Sequence, residues 1–294
     1  MNKQEMQDQL DSFIEDQYCK ELSKKTLHKY KVDIQAFLDW LPDDTEITKK
    51  LMIDYKDHLK EKTKKTTSIN SYITAIDKFV YWLGCKELAL EKVKSQIEYE
   101  LDNVIDLTDY KRLLKQARIE KEKRIEKLRK KGKEIEKEAD TEMIMRVLAG
   151  TGIRIEELKF FTVENLGPYI EVTNKGKTRS VPIRRELLHD LRAYCKENKI
   201  RSGTLFPGRI PGQQLTNSAI WKRLKKIAGA ARVKKEKVYP HSFRHFFALE
   251  YLEAGGLEIE LADILGHSSL ETTRIYVRAT KERKREKMER MRYK

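Results

Sequence analysis

Tyr276 stands nine residues after His267, in the run Leu265-Gly266-His267-Ser268-Ser269-Leu270-Glu271-Thr272-Thr273-Arg274-Ile275-Tyr276, and Pro240-His241-Ser242-Phe243-Arg244-His245 lies upstream of it. Few chemistries need a phenol, imidazoles and arginines together. Attack on a phosphodiester does, because the five-coordinate phosphorus gathers charge on its non-bridging oxygens, which guanidiniums grip bidentately while remaining protonated. A phenol with an ordinary pKa of about 10 needs neighbouring cations and a proton acceptor before it attacks at neutral pH. Taken singly, each residue has a plainer reading: Tyr276 as a packing tyrosine, His241 as a helix cap, Arg154 in Gly150-Thr151-Gly152-Ile153-Arg154 as a partner for Glu157.

The elements that must position these residues can be read from periodicity. Leu27, Tyr30, Ile34, Phe37, Leu38 and Leu41 fall on one helical stripe with Ser23 and Thr26 as caps and Pro42 as the stop. Ile69, Tyr72, Ile73, Ile76, Phe79, Val80 and Leu83 repeat it before Gly84, and Ile47 to Leu59 supplies a shorter helix between them. The basic loop Lys60 to Lys65 is either solvated or, beside the helix N-terminus that follows, holds a backbone phosphate through Lys64 and Lys65. Periodicity weakens from Leu88 to Val104, which places a helical domain at 1–95, a linker at 96–106 and a second domain at 107–294, opened by a helix from Leu107 capped by Thr108. Residues 119–140 are almost entirely Glu, Lys and Arg, expected as a charged helical insertion broken near Gly132. Tyr169 to Val172 and Arg179 to Ile183 read as two short strands joined by Thr173-Asn174-Lys175-Gly176-Lys177-Thr178. The fold class is therefore mainly α with a small antiparallel β-sheet.

The chain has 294 residues and a formal net charge of +15, which favours a polyanionic partner because each phosphate neutralised releases condensed counterions. No stretch approaches the length of apolar sequence that spans a bilayer, and the polar Met1-Asn2-Lys3-Gln4-Glu5 start lacks the core of a signal peptide, so a cytoplasmic protein with no membrane partner is expected. Cys19, Cys85 and Cys195 are scattered, without disulfide or zinc spacing, and are read as incidental, semi-buried thiols. Neither a metal site nor a cofactor is expected, since Asp263 stands alone and no carboxylates cluster as in a two-metal nuclease.

In order along the chain come Thr151-Gly152-Ile153-Arg154-Ile155-Glu156-Glu157-Leu158, a basic hairpin, His241-Ser242-Phe243-Arg244-His245, Leu265-Gly266-His267 and Tyr276. This order resembles the tyrosine recombinase family of phage integrases and Xer proteins, and the helical N-terminal segment is similar to that family's core-binding domain. The resemblance implies a SAM-like helical core-binding domain and a catalytic domain that form a clamp around DNA. It implies Arg154 as the first arginine, His241 and Arg244 as the His-x-x-Arg pair, His267 as the second histidine and Tyr276 as the nucleophile. Lys175 is similar to the family's hairpin lysine; the turn is one residue shorter than the Xer pattern, and Lys177 is the rival. Glu157 and His245 occupy positions commonly filled in the family and are expected to support His241, Arg244 or Arg154. Lys177 and Arg179 on the basic hairpin, with Lys64 and Lys65, are expected to touch DNA.

By the same resemblance, His241 takes the phenol proton, the lysine protonates the departing 5′-oxygen, and a 3′-phosphotyrosine intermediate permits rejoining without ATP. The implied partner is a double-stranded DNA site bound by a homo-tetramer, with an accessory factor as a further partner and residues 279–294 as a C-terminal exchange helix. A first long helix near residue 23 leaves no room for an additional arm-binding domain. Integration or excision by a mobile element and Xer-like resolution are both open. The alternatives are a type IB topoisomerase-like enzyme and a catalytically inactive DNA-binding protein.

Overall fold

The computed structural model describes the chain apart from residues 44, 64, 95–102, 131–139, 175, 209, 211, 268, 280–287, 290 and 292–294 and the side chains of 278 and 279. Two compact units divide it, Met1–Glu98 and Tyr99–Lys294. No helix among the described residues is long and apolar enough to cross a membrane.

The first unit is built from α1 (Lys3–Cys19), α2 (Lys24–Trp40), α3 (Lys49–Lys62) and α4 (Thr66–Trp82). The stripes on α2 and α4 bury as their spacing predicts, with Ile34, Phe37, Leu38, Ile73, Ile76, Phe79 and Val80 in one core. Ser23 is the cap of α2, its hydroxyl accepting the Thr26 N–H at 3.2 Å. The sequence reading begins the bundle near residue 23, yet α1 precedes it. Only Met6, Leu10, Phe13 and Gln17 of α1 are buried, about one per turn, which is too thin a stripe to stand out in a polar segment. Its start is fixed instead by a capping box, in which the Glu5 N–H donates to Asn2 Oδ1 and the Asn2 N–H to Glu5 Oε2, both at 2.9 Å. Phe13 anchors α1 centrally, with ring centroids 5.1 Å from Phe79 and 5.7 Å from Trp82.

The second unit runs α5 (Leu107–Lys130), α6 (Thr141–Thr151), a 3-10 segment (Ile155–Phe160), β1 (Tyr169–Asn174), β2 (Lys177–Pro182), α7 (Arg185–Glu197), α8 (Asn217–Ala230), α9 (Pro240–Glu253), α10 (Glu258–Leu265) and α11 (Glu271–Ala279). Asp106, not Thr108, caps α5: its Oδ1 accepts the Asp109 N–H at 2.7 Å, because a carboxylate one residue before the first turn reaches the free N–H groups that Thr108 already lies among. The first part of the charged insertion continues α5 unbroken and is tied back by Arg118–Glu142, Lys121–Asp140 and Lys226–Glu120 ion pairs. The expected break at Gly132 and most of the expected exchange helix lie outside the described residues.

Strands β1 and β2 pair antiparallel from Tyr169↔Pro182 to Asn174↔Lys177, so the strands run further toward the turn than the sequence suggests. Gly176, at φ +75°, supplies the left-handed conformation such a tight turn demands. Phe161, Phe206, Leu148, Leu158, Leu224 and Phe243 fill the main core, while Ala248, Leu252, Leu261, Leu265 and Tyr276 form a second, smaller cluster between α9, α10 and α11. The cysteines are not uniformly semi-buried: Cys19 is exposed, Cys85 intermediate and Cys195 buried, all free thiols.

If α1 is integral to the first unit, Phe13→Ala lowers its stability by about 3–5 kcal/mol, as large-to-small changes at a packed aromatic do. Urea unfolding followed by the fluorescence of Trp40 and Trp82 reads this, with the exposed Val32→Ala as the control; equal midpoints for the two variants would refute it.

Candidate active site

The site is organised on the C-terminal end of α10. A helix leaves its last carbonyls without intrahelical donors and carries partial negative charge there. Three arginines from three elements take three successive carbonyls: Arg179 Nε donates to Ile264 O at 2.9 Å, Arg244 Nη2 to Leu265 O at 2.7 Å, and Arg154 Nη2 to Gly266 O at 3.3 Å. Gly266 ends the helix at φ +64° and delivers the chain directly to His267.

Arg154 reaches this point through a second glycine turn. α6 stops at Gly152, φ +64°, where an added Cβ would come within 2.4 Å of Phe247 and 2.8 Å of Leu265, so the turn depends on the absent side chain. Two residues later Arg154 is held by Glu157, which accepts its backbone N–H on Oε2 at 2.8 Å and its Nη1 on Oε1 at 3.1 Å. Arg244, on α9, is buried and also donates Nη1 to Gly152 O at 2.8 Å, linking both glycine turns. Burial, with Arg154 beside it, brings its pKa down to about 10, which leaves it charged at neutral pH.

Arg179 corrects an expectation. Assigned to DNA contact, it points inward, because β1 residue Val172 is its cross-strand partner and Val181 follows two residues later on the same face, both buried. Its Nη1 and Nη2 donate to Glu157 Oε1 and Oε2 at 3.0 and 2.7 Å. Burial pushes the Glu157 carboxyl up, but the hydrogen bonds from Arg179 and Arg154 outweigh it and hold the pKa at about 2. Two guanidiniums thus share one carboxylate while Arg244 is bound only to backbone carbonyls, an arrangement whose excess positive charge suits an incoming anion.

Tyr276 projects from α11 into the small apolar cluster and is only 2% exposed. Its hydroxyl lies 2.9 Å from His245 Nδ1, and its ring stacks on His267 at 6.4 Å and 13°. The sequence reading gave His245 the support of His241, Arg244 or Arg154; its hydrogen bond goes to the phenol, because the α9 position that follows Arg244 faces α11. Burial raises the Tyr276 pKa, opposed by the charges of Arg244 and Arg154. Burial brings both His245 and His267 down to about 4, helped at His245 by His241 and Arg244 and at His267 by Arg244 and Arg154, so both rings are neutral at pH 7. His267 is oriented by Thr273, whose Oγ1 lies 2.7 Å from its Nδ1; sequence reasoning missed Thr273, although it sits six residues on and three before Tyr276.

His241 lies in the first turn of α9, an exposed residue whose ring centroid is 6.4 Å from that of His245, its pKa lowered by partial desolvation against its neighbours and then by Arg244 and Arg154. The structure therefore brings together Arg154, Glu157, Arg179, His241, Arg244, His245, His267 and Tyr276. Lys177 is exposed in the last strand pair at the turn end of the hairpin, and Lys175 lies outside the described residues. In the first unit Lys65 is exposed at the start of α4, while Lys64 lies outside the described residues. A groove between the ends of α3 and α4, lined by Lys29, Leu59, Lys62, Thr63, Thr67, Ser68, Ser71 and Tyr72, adds hydroxyls that sequence reading did not single out. No group of His, Cys, Asp and Glu among the described residues is arranged to hold a metal ion.

Residues 109–283 match the model of the phage integrase family, and residues 10–86 that of the phage integrase N-terminal SAM-like domain. The chain is 28% identical over 276 residues to tyrosine recombinase XerD of Haemophilus ducreyi, covering 89% of each chain. It is equally identical over 276 residues to tyrosine recombinase XerA of Pyrococcus furiosus, covering 91% of this chain and 88% of that one. Among solved structures, a lambda integrase dimer bound to a COC′ core site superposes with a TM-score of 0.70 at 16% identity, covering 98% of both chains.

The neutral histidines make stability pH-dependent. Their folded pKa of about 4 lies below the ordinary 6.5, so the unfolded chain binds more protons between those values, and the stabilisation is full above pH 6.5 and lost as pH falls to 4. Glu157, folded pKa about 2 against 4.5, extends the loss from pH 4.5 down to 2. The melting temperature of the second unit should fall steadily from pH 6.5 to 4, and His245→Asn should flatten that slope; a slope unaltered by the substitution would contradict the assignment.

Proposed function

The chain belongs to the phage integrase family, and from that premise we propose how its second unit cuts and rejoins DNA. It is a tyrosine site-specific recombinase. The observation that carries the mechanism is the placement of the Tyr276 phenol against neutral His245 and His267 beside the Arg154–Arg244 pair. Arg154 and Arg244 each keep N–H groups beyond those given to backbone carbonyls, and these grip the non-bridging oxygens of the scissile phosphate. The Tyr276 oxygen forms a bond to phosphorus, the bond from phosphorus to the 5′-oxygen breaks, and a 3′-phosphotyrosine results. Reaching the phosphate takes Tyr276 out of its apolar cluster and away from His245, after which His241, the exposed imidazole of the set, accepts the phenol proton. Lys175, with Lys177 as the rival, gives a proton to the departing 5′-oxygen, which leaves as a hydroxyl, and His267 hydrogen-bonds the phosphate. Attack by a 5′-hydroxyl from a second strand reverses these steps, so bond energy is kept and no ATP is needed.

The partner is a double-stranded DNA site, engaged by the groove of the first unit together with Lys64 and Lys65 and by Lys177 of the second. Assembly as a homo-tetramer on paired sites, with the C-terminal segment exchanged between protomers, completes the reading, and an accessory factor is a further partner. Xer-like resolution and integration or excision by a mobile element are the two errands that this chemistry serves. A type IB topoisomerase is not favoured by the family match.

Tyr276→Phe removes only the reacting oxygen and should retain binding to its DNA site while covalent adduct falls by more than about 10⁴-fold, as loss of a nucleophile does. Adducts captured from fragmented genomic DNA of the source organism and resolved on denaturing gels read this. An adduct that survives in the variant would sink the assignment.

A further inference from the structure

We propose that Arg179 is a positioning residue for strand cleavage, which keeps Glu157 from neutralising Arg154 and so leaves the Arg154 guanidinium available to the scissile phosphate. The inference rests on the reading of this cluster as a phosphodiester-transfer site and goes beyond the roles assigned above.

Glu157 is buried, with 2% of its side chain exposed, and two guanidiniums compete for its two oxygens. Arg179 takes the bidentate face, at 2.7 and 3.0 Å, which is the stronger geometry for a guanidinium and a carboxylate. Arg154 keeps one side-chain contact, Nη1 to Oε1 at 3.1 Å, and its backbone N–H on Oε2. That grip orients Arg154 without consuming its other donors. Remove the bidentate partner, and a buried carboxylate with one remaining cation draws that cation in fully, because an unpaired charge in this environment is costly. Arg154 would then be paired and turned from the phosphate.

The rest of the Arg179 side chain is equally committed. Its Nε bonds Ile264 O at 2.9 Å, one carbonyl before that bound by Arg244, and its stem crosses Gly266, where an added Cβ would meet Cδ at 2.8 Å. Only a glycine leaves room for this passage, so the residue that ends α10 and precedes His267 is also shaped to Arg179. β2, the start of the 3-10 segment and the end of α10 meet on one guanidinium. Lysine cannot replace it geometrically: a single ammonium lacks the planar fork that spans both Glu157 oxygens and Ile264 O together.

Arg179→Ala would leave Glu157 with a lost partner and melt the unit, so the test uses Arg179→Lys, which keeps the charge. The probe is a nicked duplex carrying the site recovered from genomic adducts, with protein in excess, so that cleavage is read separately from binding and from the melting temperature. Arg179→Lys should bind within about threefold of wild type, stay folded at the assay temperature and form adduct about 100-fold more slowly, the scale on which loss of one charge-stabilising donor is felt. In an Arg154→Lys background the same substitution should cost less than about threefold, since groups that act through one another are non-additive. Wild-type cleavage by Arg179→Lys, or an equal cost in both backgrounds, overturns the proposal while leaving the recombinase reading intact. Absence of adduct from the wild-type protein overturns that reading and this inference with it.

Discussion

The exposed carbonyls at the end of α10 are the constraint on which the site depends. Each needs a donor, and the fold meets the need with Arg179, Arg244 and Arg154, drawn from β2, α9 and the turn after α6. A helix C-terminus is an electrostatic anchor for cations, so the arrangement stabilises three like charges close together before any phosphate arrives. It also fixes where His267 begins. Both glycines in the framework, Gly152 and Gly266, serve this convergence: one turns Arg154 toward α10, and the other lets Arg179 pass.

The charges and the neutral groups divide the work. Arg244 remains protonated despite burial, Glu157 remains ionised, and His245 and His267 remain uncharged. Burial is the larger reason the two rings stay neutral; Arg154 and Arg179, which hold Glu157 ionised, also disfavour imidazolium at His267, and Arg244 does so at both rings. The site therefore presents acceptors to the phenol and cations to the phosphate without the two functions neutralising each other.

Much of this was legible in the sequence because the reactive side chains are chemically distinctive and their linear spacing is short: Tyr276 after His267, Arg244 after His241, Arg154 after the glycine turn. The two long stripes of the first unit were legible for the same reason of local period. What escaped is what depends on pairing between distant segments. Arg179 reads as one more cation on a basic hairpin until the Val172↔Arg179 register assigns it to the buried face. His245 reads as support for His241, Arg244 or Arg154 until α11 brings the Tyr276 hydroxyl to its Nδ1. Helix α1 escaped because its stripe is one residue wide and its meaning comes from Phe79 and Trp82, more than sixty positions away.

For the proposed role of Tyr276, its place in an apolar cluster works against reactivity, since burial favours the neutral phenol and its hydroxyl lies 2.9 Å from His245 Nδ1. The same burial gives a threshold. Tyr276 leaves its cluster only if something outside compensates for the lost packing of a large aromatic ring and for the broken hydrogen bond. On the proposed mechanism, a phosphate held by Arg154 and Arg244 provides that compensation, because it places an electrophile and a favourable field where the phenoxide charge develops, and bulk water provides neither. In that mechanism, the packing of α11 on α9 and α10 therefore holds the Tyr276 phenol back in the free protein, and the arginine framework on α10 supplies the site that draws it out.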